Sequence, residues 1–140
     1  MITDTVGWKN RLLGWTLMLV GILGGMALGV WVFDGPVPAP ARFADYASLP
    51  RRLLRFAHIS AMALGIVNIL YGHEIDRLRL SDRARRIGSR SMMLAGVLMP
   101  IILTLAAFQI EWKYGLPVPA TAAFVAMAIL VGGFLSGEPS

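Results

Sequence analysis

Four apolar runs decide what this chain can become, because a helix of about 20 residues crosses the hydrocarbon core of a bilayer. They cover residues 12–33, 53–73, 91–110 and 117–135. In hydrocarbon no water satisfies a peptide N–H or C=O, so each run must close its own backbone hydrogen bonds as a helix. The expected fold class is all-α, an integral membrane four-helix bundle. Charged residues make up 15% of the chain, against about 25% in a typical soluble domain. The segments between the runs are too short to enclose a soluble core. Residues 1–140 therefore read as a single four-span transmembrane domain.

A net charge of +5 and a pI near 10.5 would suit nucleic acid in a soluble protein. Here the basic residues sit at the ends of the apolar runs, where they anchor helices and meet anionic headgroups. No aromatic-plus-basic nucleic-acid motif accompanies them. The expected partners are membrane lipids and either other membrane subunits or further copies in a homo-oligomer, with no nucleic acid. The absence of cysteine excludes disulfides, thiolate metal sites and cysteine nucleophiles. The first run is too long for a signal-peptide core and has no small-residue cleavage site at its end, so it reads as a retained span.

Orientation follows from the basic residues. Lys9, Arg11, Arg77, Arg79, Arg83, Arg85, Arg86 and Arg90 fall on one side, and Arg42, Arg51, Arg52, Arg55 and Lys113 on the other. Six of the first set share one short loop, which places both termini in the cytoplasm by the positive-inside bias. The membrane expected is the bacterial cytoplasmic (inner) membrane.

Local signals divide the runs. In the first, Gly21, Gly25 and Gly29 recur every four residues, a stripe that lets another helix approach closely. The first loop, 34–52, carries Pro36, Pro38, Pro40 and Pro50 with Phe43 and Tyr46; its prolines favour extended backbone. Ser48 ahead of Pro50, and Ser81 ahead of the third run, stand where helix N-caps belong. Pro100 should kink the third run. The short 115–119 turn makes the last two spans antiparallel neighbours.

The second run is the one whose polar side chains look placed: His58, Asn68 and, at its very end, His73. At about 100° per residue, His58, Ala61, Gly65, Asn68 and Gly72 fall within one sector about 80° wide. Small residues bounded by histidine and asparagine form a contact face for another helix or a ligand rather than a lipid face. His58 and His73 lie about 22 Å apart along the helix, so they cannot share one metal and would serve separate centres.

This pair, with Gly65 between to admit a flat macrocycle, resembles the histidine pairs on the haem-bearing helices of the cytochrome b family. The resemblance covers that one helix. It implies haem b as the cofactor, a cofactor site drawing on His58, His73, Gly65 and Asn68, and His58 as the metal ligand. Only two histidines are present, both on this helix, so a second axial histidine would have to come from another copy or subunit. The alternative reading of the same residues is structural. His58 then bonds a neighbouring helix or loop, Asn68 joins helices at about 1 kcal/mol, and His73 is solvated among headgroups.

No catalytic residue is assigned. No Asp, Glu, Lys or Arg lies mid-run, so a proton relay, voltage sensor or ion-coupled transport site lacks its parts. No Ser-His-Asp set and no paired carboxylates offer catalysis. The function expected is a non-catalytic integral membrane subunit of a larger assembly, energy-transducing or electron-transferring. The alternative is a b-type haem protein or electron-transfer anchor using His58 and His73. Helix packing is expected at Gly21, Gly25, Gly29, Ala61 and Gly72.

Overall fold

The computed structural model describes residues 5–31 and 35–136. It contains α1 (Val6–Gly29), α2 (Leu49–Arg77), α3 (Asp82–Phe108) and α4 (Pro117–Leu135). These give four segments long and apolar enough to cross a membrane, the fourth counted with the 3-10 turn Ile110–Gly115 that leads into it. Among the described residues there is no strand. The expected end of the first run at Phe33, the loop start at Asp34 and the tail beyond Ser136 lie outside the described residues.

α1 begins well ahead of its apolar run, so Lys9, Asn10 and Arg11 lie inside the helix. Thr5 stands at the N-cap without making a side-chain cap. Asp76 of α2 does that work instead: its Oδ1 accepts from the Gly7 N–H at 2.9 Å. Its Oδ2 accepts from Arg11 Nη1 at 2.8 Å. A carboxylate at the positive end of a helix is favourable, and the same Arg11 nitrogen also donates to the Gly72 carbonyl at 2.8 Å.

From there α1 and α2 run antiparallel on a seam of glycines. Gly7 meets Gly72, Gly14 meets Gly65, and Gly21 meets the His58 carbonyl and Met62. A Cβ at Gly14 would stand 2.5 Å from the Gly65 carbonyl oxygen, and one at Gly65 2.8 Å from that of Gly14. No side chain fits there, so the two backbones touch directly, which is how helices gain packing energy in lipid. The repeat is seven residues, the period that keeps a left-handed pair facing along its length. This differs from the four-residue stripe read from the sequence. Gly25 meets only the His58 ring, and Gly29 has no atom within 4 Å.

α3 returns antiparallel to α2, with Asn68 beside Gly96 and Tyr71 beside Gly88. Ser81 caps it, accepting from the Ala84 N–H at 3.3 Å. The helix continues through Pro100, where the missing N–H leaves the Gly96 carbonyl without its helical donor. Tyr71, Ile75, Leu78, Met92, Ala126 and Leu130 form the buried apolar cluster. Tyr71 donates to the Ala126 carbonyl at 3.1 Å, which fixes α4 against α2 and α3. α4 buries Pro119, Ala122, Ala126, Leu130 and Gly133, a stripe at three- and four-residue spacing. It makes no contact with α1. Gly7 and Gly133 both pack against residues 72–80, so the two ends of the described chain lie at the arginine-loop end of the bundle.

The opposite end is closed by the first loop. Arg51 is buried and donates to the carbonyls of Phe43 at 2.9 Å, Ala44 at 3.3 Å and Trp31 at 2.7 Å. Phe43 stacks on Trp31 and meets Phe108 edge-on. Arg55 lies 4.0 Å from the Tyr46 ring centroid. Ser48 stands at the N-cap of α2, with no hydrogen bond from its hydroxyl.

Candidate functional site

Two polar features lie within the bundle, and they differ in kind. The first is a closed network of Asn10, Asn68 and Ser89, one residue from each of α1, α2 and α3, all buried. Asn10 Nδ2 donates to Asn68 Oδ1 at 3.0 Å and to the Ser89 carbonyl at 3.3 Å. Ser89 Oγ donates to Asn10 Oδ1. Asn68 Nδ2 donates to the carbonyls of Leu64 at 2.9 Å and Met92 at 3.3 Å. Both side-chain oxygens and both amide groups are engaged, so the network joins three helices and offers nothing to a ligand.

The second feature is a groove. Between α1 and α3 lies an open crevice of about 340 Å³ floored by α2. Gly21, Gly24 and Ala27 form one wall, Pro100 and Thr104 the other, and Ala57, His58 and Ala61 the floor. A further apolar hollow of about 320 Å³ shares Val20, Ala61, Pro100 and Thr104 with it and reaches toward Leu17 and Val97. The seam positions this site: Gly24 and Gly25 have no side chains to cover the His58 ring. A Cβ at Gly25 would stand 3.3 Å from His58 Cδ2 and 3.6 Å from Nε2.

The imidazole itself is asymmetric. His58 Nδ1 lies 3.4 Å from the Leu54 carbonyl oxygen. A carbonyl only accepts, so Nδ1 carries the hydrogen and, in the neutral ring, Nε2 is left as the acceptor. No hydrogen bond to Nε2 is present among the described residues. Thr104 Oγ is already turned to the Pro100 carbonyl at 2.8 Å. His58 thus lines an apolar groove, with its ring edge against Gly25 and Nε2 without a donor among the described residues.

The other residues singled out in the sequence fall as follows. Ala61 lies on the groove floor. Gly65 and Gly72 lie in the α1–α2 seam, Gly65 against Gly14 and Met18, so no face of Gly65 is open to a flat ring. Asn68 belongs to the closed network. His73 is exposed on α2 at the arginine-loop end, beside Glu74, which pairs with Arg77 at 3.5 Å. The structure does not bring His58, His73 and Asn68 into one site. Asn10, Ser89 and Asp76 were not picked out by sequence. Asn10 carries a signal in retrospect, lying three and four residues from Gly7 and Gly14 and hence on their face.

Among the described residues no three of His, Cys, Asp and Glu gather as metal ligands. Haem iron is held by His, Met, Cys or Tyr, and His58 is the one such side chain lining the groove. Of the groove's side chains, His58 is therefore the one that could ligate a haem iron. Comparison with protein-family models, with curated proteins and with solved structures gives no match.

Proposed function

We propose that this chain is a non-catalytic integral membrane subunit of a larger assembly in a bacterial cytoplasmic membrane, with both termini cytoplasmic. One observation carries the reading: His58 lines a groove built by three helices, and its Nε2 has no donor among the described residues. An acceptor left without a donor in hydrocarbon costs free energy, and acyl chains supply no donor. A partner helix with a hydroxyl or amide on its face would fill the crevice between α1 and α3 and complete the bond. The Asn10–Asn68–Ser89 network supports this view, because its polar groups are spent on holding the bundle together. The arginine-rich α2–α3 loop supports the orientation.

Extraction in mild detergent, followed by native electrophoresis and mass spectrometry, tests the proposal. A complex larger than the chain is expected. Gly25→Leu, which places a side chain over Nε2, should release the partner, whereas Gly132→Leu, with nothing within 4 Å of that position, should not. A stable monomer without a partner refutes the reading.

A second reading rests on the same nitrogen. A ring held through Nδ1–H by a carbonyl, with Nε2 open, is the arrangement of a metal-ligating histidine. In this reading the chain is a haem b half-site completed by another copy. A Soret band from protein expressed with adequate haem, lost in His58→Ala and kept in His73→Ala, is its signature. Absence of the band removes it.

A further inference from the structure

At the arginine-loop end a separate cavity of about 320 Å³ opens between the first turn of α1 and the first half of α3. α1 contributes Thr5, Val6 and Lys9, and α3 contributes Arg86, Ser89, Arg90 and Met93. The spacing explains the lining. Residues 86, 89, 90 and 93 form one stripe of α3, and residues 5 and 9 are one turn apart on α1. The floor is rigid, because the Ser89 hydroxyl is committed to Asn10 in the three-helix network.

Among the described residues, three cations and no carboxylate line this cavity. Lys9, Arg86 and Arg90 make no ion pair or hydrogen bond among the described residues, unlike Arg11, which is held by Asp76, and Arg85, which donates to the Leu78 carbonyl at 2.6 Å. Three unneutralised charges converging on one concavity is an arrangement that self-repulsion opposes, so an anion would relieve it. Val6 and Met93 give the rim an apolar margin, and the cavity lies where both helices enter their apolar runs, at headgroup depth.

We infer that this cavity binds the phosphate headgroup of an anionic phospholipid, with Lys9, Arg86 and Arg90 around the phosphate and Val6 and Met93 against the glycerol and upper acyl chain. Basic pockets between membrane helices take such headgroups. The apolar rim and the membrane depth distinguish a lipid from a free anion. The inference does not depend on the groove at His58, which lies toward the opposite end of the bundle.

The test uses the intact chain in a neutral mild detergent, with phosphatidylglycerol, phosphatidylcholine or inorganic phosphate added, read by native mass spectrometry and thermal melting. Phosphatidylglycerol should be retained and raise Tm, while phosphatidylcholine and phosphate should do neither. A basic side chain at a lipid surface contributes about five-fold in affinity, so R86Q/R90Q should bind phosphatidylglycerol about 30-fold more weakly. The charge-matched R79Q/R83Q, outside the cavity, should stay within about two-fold of the parent chain. These arginines are exposed and make no ion pair or hydrogen bond among the described residues, so circular dichroism should be unchanged in both variants. Equal losses in the two variants would mean diffuse surface charge and overturn the inference. Equal stabilisation by inorganic phosphate would overturn the lipid assignment.

Discussion

Removing the amide groups of the three-helix network one at a time should reveal an unequal and coupled pair. Asn10 makes three bonds across helix boundaries: to Asn68 Oδ1, to the Ser89 carbonyl, and from the Ser89 hydroxyl. Asn68 makes two, one with Asn10 and one to the Met92 carbonyl, its bond to Leu64 lying within α2. An interhelical hydrogen bond in a membrane protein is worth about 0.6 kcal/mol on average. Asn10→Ala should therefore cost about 2 kcal/mol and Asn68→Ala about 1 kcal/mol. The lost side-chain volume adds a similar term to both singles. Since the two residues share one bond, the double variant should be less destabilised than the two singles combined, by about 0.6 kcal/mol. Reversible unfolding in mixed micelles with increasing SDS, or steric trapping in bicelles, measures all four proteins. Strict additivity, or a larger loss at Asn68 than at Asn10, would show that the network does not hold the helices as described.

Two further outcomes follow from the packing. Gly65→Leu should destabilise by about 1–3 kcal/mol or more, since overpacking forces the backbones of α1 and α2 apart; Gly29→Leu should stay within about 0.5 kcal/mol in the isolated chain, having no neighbour to displace. The same unfolding assay separates them, and equal effects would refute the seven-residue seam. Arg51→Ala frees the carbonyls of Trp31, Phe43 and Ala44 and should cost about 2–3 kcal/mol, the range for a charged hydrogen-bonding group lost from a buried site. Limited proteolysis near residues 35–48 should accelerate in that variant, and an unchanged cleavage rate would argue against Arg51 as the clamp of the loop.

The helical, four-crossing character of the chain was legible because lipid imposes one rule, that every backbone group be satisfied locally, and long apolar runs show where that rule applies. Ser81 as a cap is equally local, since only the residues around it decide the bond. Ser48 was placed at a helix start by the same logic, yet its hydroxyl goes unpaired because Pro50 and the Arg51 clamp organise that turn without it. What hydropathy could not rank was which of fifteen glycines touch another helix. A four-residue repeat at Gly21, Gly25 and Gly29 looks like a packing face on a wheel, but the face used depends on the partner's register and handedness.

Residue order by itself determined where the chain can cross a bilayer and that His58 and His73 cannot share a centre, since both follow from rise per residue and the solvent's chemistry. Only the tertiary structure decided that Asn10, in a stretch that reads as a polar lead-in, is buried against Asn68 and Ser89. It also decided that Asp76 rather than Thr5 holds the start of α1, that Gly65 is closed by Gly14, and that His58 lines a groove. These depend on contacts between residues 51 to 79 positions apart or on the crevice that three helices leave between them. Periodicity along one helix carries no information about the distance to another.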